Sequence, residues 1–241
     1  MRSCVIIPAR YKSSRLPGKP LIKLLDKEMI IWVAELSANA VGKENVFIAT
    51  DNLQISNKAQ EYGFNFIMTD SNLLTGTDRV AQASLKLDYD IFVNVQGDEP
   101  LIDPKDILES IKLKMKFPLH VINSFCYLNV QEDPINKNIP KVITNEKNDL
   151  IYISRGVIPK SKNIQLEKIK YKKQVCIYCY SRKELNQFLS FGRKSYIENI
   201  EDIEILRFFE LGVKIKMFQA SKSSLAVDVI SDIEKVEKEL E

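Results

Sequence analysis

Ser3–Pro8 reads SCVIIP, and the segment after it, Ala9–Leu21, reads ARYKSSRLPGKPL. A short continuous apolar run that ends in a glycine- and proline-punctuated polar loop is the pattern of a strand buried on both faces. The same pattern recurs downstream. Asn45–Ala49, Phe64–Met68, Ile91–Val95 and Val121–Tyr127 are further strand candidates, separated by amphipathic stretches. Helices are expected over Met29–Asn39, from Asn52 as cap to Gly63 as stop, over Thr77–Leu87, and from Asp103-Pro104 to Lys116. Strands alternating with helices in this way predict an α/β fold, a parallel sheet with helices on both faces. Beyond residue 128 the pattern changes. Lys141–Thr144 and Leu150–Ser154 flank a turn and predict a hairpin, and Val175–Tyr180 predicts another strand. Helices are expected over Ser181–Leu189 and Glu201–Leu211, with a strand over Lys214–Phe218. A final helix is expected to be opened by a capping box of Ser231 and Glu234. The lysine-rich stretch Lys160–Lys173 is expected to be a surface loop.

The chain has 241 residues, 45% of them hydrophobic, enough to bury a sizeable core. Its 28% charged residues nearly cancel, to a net charge of +3, and the two signs are interleaved. That pattern argues against a nucleic-acid partner and suits a small polyanion held in a local basic pocket. No apolar run approaches the roughly 18 residues of a membrane span, and no secretory pattern is present, so a cytoplasmic protein with no membrane partner is expected. Cys4, Cys126, Cys176 and Cys179 read as buried thiols in a reducing compartment. The C-x-x-C spacing of the last two falls on a strand, which sends them to opposite faces. The single histidine, His120, is expected to be structural at a strand entrance.

Chemistry concentrates in four places. The loop after the first strand carries Arg10, Lys12, Arg15 and Lys19, with Ser13, Ser14 and Gly18 between them, a density of cations and small residues suited to a triphosphate. Loops at the carboxyl ends of parallel strands are where such sheets bind ligands. Val93–Pro100, VNVQGDEP, places Gln96, Gly97 and Asp98 at another strand end, and the carboxylate is a hard oxygen donor suited to magnesium. Ala226–Val229, AVDV, offers Asp228 as a second acid for the same ion. Thr75–Arg79, TGTDR, is a glycine turn at a helix start, with Thr77 or Asp78 as cap and backbone groups able to meet an anion or a base edge. The G-x-G-x-x-G and Walker signatures are absent.

These segments, in this order, resemble the 3-deoxy-manno-octulosonate cytidylyltransferases, the CMP-Kdo synthetases, over essentially the whole chain. The resemblance implies a three-layer, Rossmann-like fold of the nucleotide-diphospho-sugar transferase type, with a mainly parallel sheet. It implies one domain over 1–241, in which about 128–195 form a smaller sugar-binding and dimerisation region, and a homodimer. The implied activity is transfer of CMP from CTP to an acidic sugar, 3-deoxy-D-manno-octulosonate (Kdo) or a close 3-deoxy-2-ulosonic acid, with release of pyrophosphate and Mg2+ as cofactor, for bacterial surface polysaccharide synthesis. Arg10 and Lys19 would hold the phosphates with Ser13 and Arg15, and Ala9, Thr75, Gly76 and Arg79 would line the nucleotide pocket. Asp98 and Asp228 match the metal-binding acids, while Gln96, Arg155, Tyr178 and Glu204 match positions near the sugar. Two departures fall at the sugar: Gln174 and Cys176 stand where the family has the His and Gly of H-x-G-I-Y, and Ile205 follows Glu204 where the family has Gln. They leave an amino-substituted Kdo or a sialic-like acid as alternative acceptors, and a nucleotide-sugar glycosyltransferase as an alternative activity.

Overall fold

In β1 (Ser3–Ala9), alternate side chains enter two different cores. Val5, Ile7 and Ala9 pack on one side of the sheet, Cys4 and Ile6 on the other, the two-residue period of a strand covered on both faces. The computed structural model describes residues 1–12, 16–130, 132–222, 225–227 and 229–241. Of the residues singled out above, Ser13, Ser14, Arg15 and Asp228 lie outside the described residues.

The remaining strands are β2 (Lys23–Leu24), β3 (Lys27–Glu28), β4 (Val46–Thr50), β5 (Asn65–Met68), β6 (Ile91–Val95), β7 (Val121–Tyr127), β8 (Lys141–Thr144), β9 (Leu150–Ser154), β10 (Lys172–Ser181) and β11 (Ile215–Gln219). The central sheet runs β11-β7-β10-β6-β1-β4-β5. Pairings among β6, β1, β4 and β5 are parallel, as is that of β11 with β7. β10 is antiparallel to both its neighbours, β6 and β7, so the sheet is mixed at its middle. Of the stretch 128–195, β10 therefore runs inside the main sheet, while β8 and β9 form a hairpin paired with the start of β10.

The helices are α1 (Met29–Val41), α2 (Leu53–Glu61), α3 (Gly76–Ser84), α4 (Pro104–Lys116), α5 (Arg182–Ser190), α6 (Tyr196–Glu201), α7 (Ile205–Glu210) and α8 (Ile230–Leu240). α1, α2 and α4 send Ile30, Val33, Ile55 and Ile107 into the core on the Val5 face. α3, α5 and α7 send Val80, Leu185, Phe188 and Phe208 into the core on the other face. These are the three layers that the resemblance implies. A third, smaller core joins α8 to the β2–β3 hairpin through Leu24, Met29, Val227 and Val236. No helix among the described residues is long and apolar enough to cross a membrane. Cys179 packs in the first core and Cys176 against the second, on opposite faces as expected, and none of the four cysteines is in a disulfide. Burial pushes the Cys179 thiol up to about 12. His120 precedes β7 and packs edge-on against Phe117 at 5.7 Å.

Four local expectations need correction. Thr75, not Thr77 or Asp78, caps α3: its hydroxyl accepts from the Asp78 amide at 3.1 Å. The single helix expected over Glu201–Leu211 is two, α6 and α7, broken at Asp202, whose φ of 50° is left-handed. α8 starts at Ile230, so Ser231 lies inside it, and the Asp232 carboxylate accepts from the Val229 amide at 3.0 Å. The Lys160–Lys173 stretch is not all loop: Lys172 and Lys173 begin β10, and Lys173 is buried in an ion pair with Glu132.

Candidate active site

The loop leaving β1 closes on itself where the Gly18 amide donates to the Tyr11 carbonyl at 3.0 Å. Lys19 then starts a short 3-10 turn. Its ammonium donates to the Asp98 carboxylate at 2.6 Å, so the first and second motifs meet. Close approach of the two strand ends depends on Gly97. A Cβ there would come within 3.1 Å of both the Pro8 carbonyl oxygen and the Ile30 side chain. The backbone of Asp98 is tied to the C-terminal segment: the Val227 amide donates to the Asp98 carbonyl at 3.0 Å.

Two cavities adjoin here. The first, of about 350 Å³, is lined by Ala9, Arg10, Lys19, Thr75, Gly76 and Arg79, every described residue expected at the nucleotide. The second, of about 620 Å³, is lined by Gln96, Arg155, Gln174, Tyr178 and Glu204, every residue expected at the sugar. Gln96, Asp98, Asp202, Ile203 and Glu204 line both, so Asp98 stands in the wall between them.

The side chains differ in how far they are committed to the protein. Arg10 is exposed at the mouth of the first cavity. Arg79 is buried, with its guanidinium on Asp51 at 3.1 Å and on the Thr69 hydroxyl, and burial draws its pKa down. It is a wall rather than a mobile cation. Glu204 carries a structural duty as well as a lining one. Its carboxylate accepts from the Gly76 amide at 2.9 Å, the Thr77 amide at 2.7 Å and the Thr77 hydroxyl at 2.6 Å, satisfying the first donors of α3. Withdrawal from solvent raises its carboxyl above the ordinary range, against those hydrogen bonds, which lower it. Arg155 is held by the carbonyls of Glu201 at 2.6 Å, Lys137 at 3.0 Å and Asp202 at 3.0 Å. These acceptors are neutral; the Glu201 carboxylate takes the Arg155 backbone amide instead, at 2.8 Å. Tyr178 stacks on Tyr180, with ring centroids 6.2 Å apart, and its hydroxyl is driven well above its usual pKa by burial.

Sequence reasoning missed Lys194, Glu198 and Asp202 in the first cavity. It also missed the buried cation beneath it: Arg207 bonds Asp78 at 2.7 Å and Glu198 at 2.7 Å, joining the α3 turn to α6. The Ser-x-x-Glu spacing of Ser195 and Glu198 was the available signal, since Glu198 also accepts from the Ser195 amide at 2.8 Å.

Asp98 offers the chemistry a magnesium ion needs. Its carboxylate is partly exposed, 29% for the side chain, and already faces a cation, the Lys19 ammonium. Among the described residues no group of three or more His, Cys, Asp or Glu forms a closed metal cage. Magnesium is commonly bound by one or two carboxylates plus substrate phosphates, which fits a partly exposed carboxylate in the wall of the first cavity.

The family model described as cytidylyltransferase matches residues 4–215. The chain is 39% identical over 243 residues to the 3-deoxy-manno-octulosonate cytidylyltransferase of Francisella philomiragia, spanning 97% of this chain and 96% of that one. The chain belongs to the 3-deoxy-manno-octulosonate cytidylyltransferase family. The Escherichia coli member of this cytidylyltransferase family is 34% identical over 235 residues, 98% of this chain and 94% of its own. A solved CMP:2-keto-3-deoxy-manno-octonic acid synthetase, complexed with CTP, superposes with a TM-score of 0.90 at 35% identity over 100% of this chain and 98% of that one. The chain is thus a nucleotidyltransferase of the cytidylyltransferase class, and full-length similarity of this kind does not favour the amino-substituted Kdo, sialic-like or glycosyltransferase alternatives.

Proposed function

We propose that this cytidylyltransferase transfers CMP from CTP to the anomeric hydroxyl of Kdo, releasing pyrophosphate. The observation that carries the reading is the pair of cavities with Asp98 in their common wall. The full-length relatives named for Kdo, and the likeness to a synthetase complexed with CTP, support it.

In this reading Arg10 and Lys19, with Ser13 and Arg15, hold the triphosphate, and Ala9, Thr75, Gly76 and Arg79 enclose the nucleoside. Arg155 pairs with the sugar carboxylate, since its guanidinium is held by backbone carbonyls and not by a carboxylate. Gln96, Gln174, Tyr178 and Glu204 surround the sugar. The 2-hydroxyl oxygen attacks the α-phosphorus, the bond to the β-phosphate oxygen breaks, and the hydroxyl proton passes to solvent. Phosphoryl-type transfer depends on positioning and charge neutralisation rather than on a covalent intermediate. Lys19 and Arg10 stabilise the charge on departing pyrophosphate. Asp98 and Asp228 would hold Mg2+, which supplies Lewis-acid charge to the substrate oxygens when bound. The reading further takes the working unit as a homodimer in the cytoplasm, with the product feeding lipopolysaccharide or capsule synthesis.

A pyrophosphate-release assay tests the proposal. With Mg2+, release is expected from CTP and Kdo together. It should fall at least tenfold when ATP or UTP replaces CTP, or when sialic acid or 8-amino-Kdo replaces Kdo. Release that is faster with either of those acids, or none with Kdo, would contradict it.

A further inference from the structure

β10 does not pair evenly with β7. Val175 is level with Ser124 and Tyr178 with Asn123, so the register skips Cys176 and Ile177. A bulge of this kind takes backbone carbonyls out of the ladder and re-aims the side chains around it. Asn123, fully buried on β7, supplies the missing donors. Its Nδ2 donates to the Val175 carbonyl at 3.0 Å and to the Ile177 carbonyl at 2.8 Å. The Ser124 hydroxyl adds a bond to the Val175 carbonyl at 3.1 Å, and the Gln96 amide donates to the Cys176 carbonyl at 3.4 Å.

Two carbonyls determine which way the Asn123 carboxamide faces, because only its NH2 end can donate. Its Oδ1 is thereby turned to Gln174, and accepts from Gln174 Nε2 at 3.0 Å. A flipped Gln174 would set oxygen against oxygen. One N–H of Gln174 Nε2 is committed to Asn123, which fixes the carboxamide and presents Oε1 as its acceptor end. Gln174, Cys176 and Tyr178, before, within and after the bulge, all line the second cavity.

We infer that Asn123 is a positioning residue for the sugar acceptor: by bracing the bulge of β10 it orients Gln174, whose Oε1 accepts a hydrogen bond from a hydroxyl of the bound sugar acid. The inference rests on the second cavity being the acceptor site. It gives a role to the amide at the position where the family carries histidine.

The test is a kinetic double-mutant cycle on the full chain with CTP, Mg2+ and Kdo. Asn123→Ala and Gln174→Ala should each raise KM for the sugar acid by about 3- to 10-fold, the range for one hydrogen bond, with KM for CTP within about twofold of the unsubstituted enzyme. The double variant should be no more than about twofold worse than Asn123→Ala alone, because Gln174 is already disoriented there. Ser124→Ala, which touches the bulge without touching Gln174, should leave the sugar KM within about twofold. Should Asn123→Ala fail to fold, Asn123→Ser, which keeps one donor, carries the same test. Additive effects, or equal increases in both KM values, would overturn the positioning role. If Gln174→Ala raises the sugar KM and the Asn123 variants do not, the inference alone fails. If Gln174→Ala leaves the sugar KM unchanged, the reading of the cavity fails, and the inference with it.

Discussion

Asp98→Asn is expected to lower kcat by at least about 10³-fold while the protein remains folded. Removing one preorganised charge partner of a transition state costs about 10²–10³ in rate, and Asp98 is placed to act twice. It is an anionic oxygen donor for a hard cation, which a neutral amide replaces poorly. It is also a partner of the Lys19 ammonium, at 2.6 Å, in the wall between the cavities. The fold should tolerate the change. The Asp98 side chain is 29% exposed, and asparagine keeps its shape and an oxygen that can still accept from Lys19. The contact that anchors the C-terminal segment, from the Val227 amide, goes to the Asp98 backbone and survives the substitution. Single-turnover kinetics beside a thermal melt would check this. Unimpaired turnover in the variant would remove Asp98 from the chemistry.

Lys19→Ala is expected to lower kcat by about 10²-fold or more and to raise KM for CTP. The Lys19 side chain is only 13% exposed, so its charge acts in a setting less screened than open water. A compact ammonium can move from the Asp98 carboxylate to incoming phosphate oxygens without leaving the cavity wall. Lys19→Arg should recover only part of the rate, because a planar fork cannot occupy the place of a point charge. Steady-state kinetics with CTP varied would separate the two parameters, and a near-normal kcat in the alanine variant would exclude Lys19 from the step.

What the sequence made legible was whatever local pattern encodes. The apolar-rich runs of β1, β6 and β7, and the Asp103-Pro104 start of α4, lie where they were expected. The described residues assigned to the nucleotide and to the sugar line two adjoining cavities, with Gln96 and Glu204 in both, because they sit at strand and helix ends, whose placement follows from the order of elements. The cap misreadings at Thr75 and Asp232 are shifts of a few positions within local patterns, whereas the broken helix and the contacts that build the site are not local. Asp202 adopts a left-handed backbone inside what periodicity reads as one helix, and the break sets Glu204 just ahead of α7. From there Glu204 reaches amides 127 and 128 positions earlier in the chain, a contact that no local spacing announces. The same holds for Gln174 and Asn123, 51 positions apart, and for the entry of β10 into the sheet antiparallel to its neighbours. Ser13, Arg15 and Asp228 keep the roles that the resemblance implies as proposals.

Nucleotide phosphates and a divalent ion are expected to meet at the Lys19–Asp98 contact. A crystal structure with CTP and Mn2+ in place of Mg2+, located by its anomalous scattering, tests it most directly. A peak is expected within about 2.2 Å of an Asp98 carboxylate oxygen, as for hard cation–oxygen bonds, with Lys19 Nζ moved onto a phosphate. A triphosphate seated in the first cavity with the ion elsewhere and the Lys19–Asp98 pair intact would contradict it.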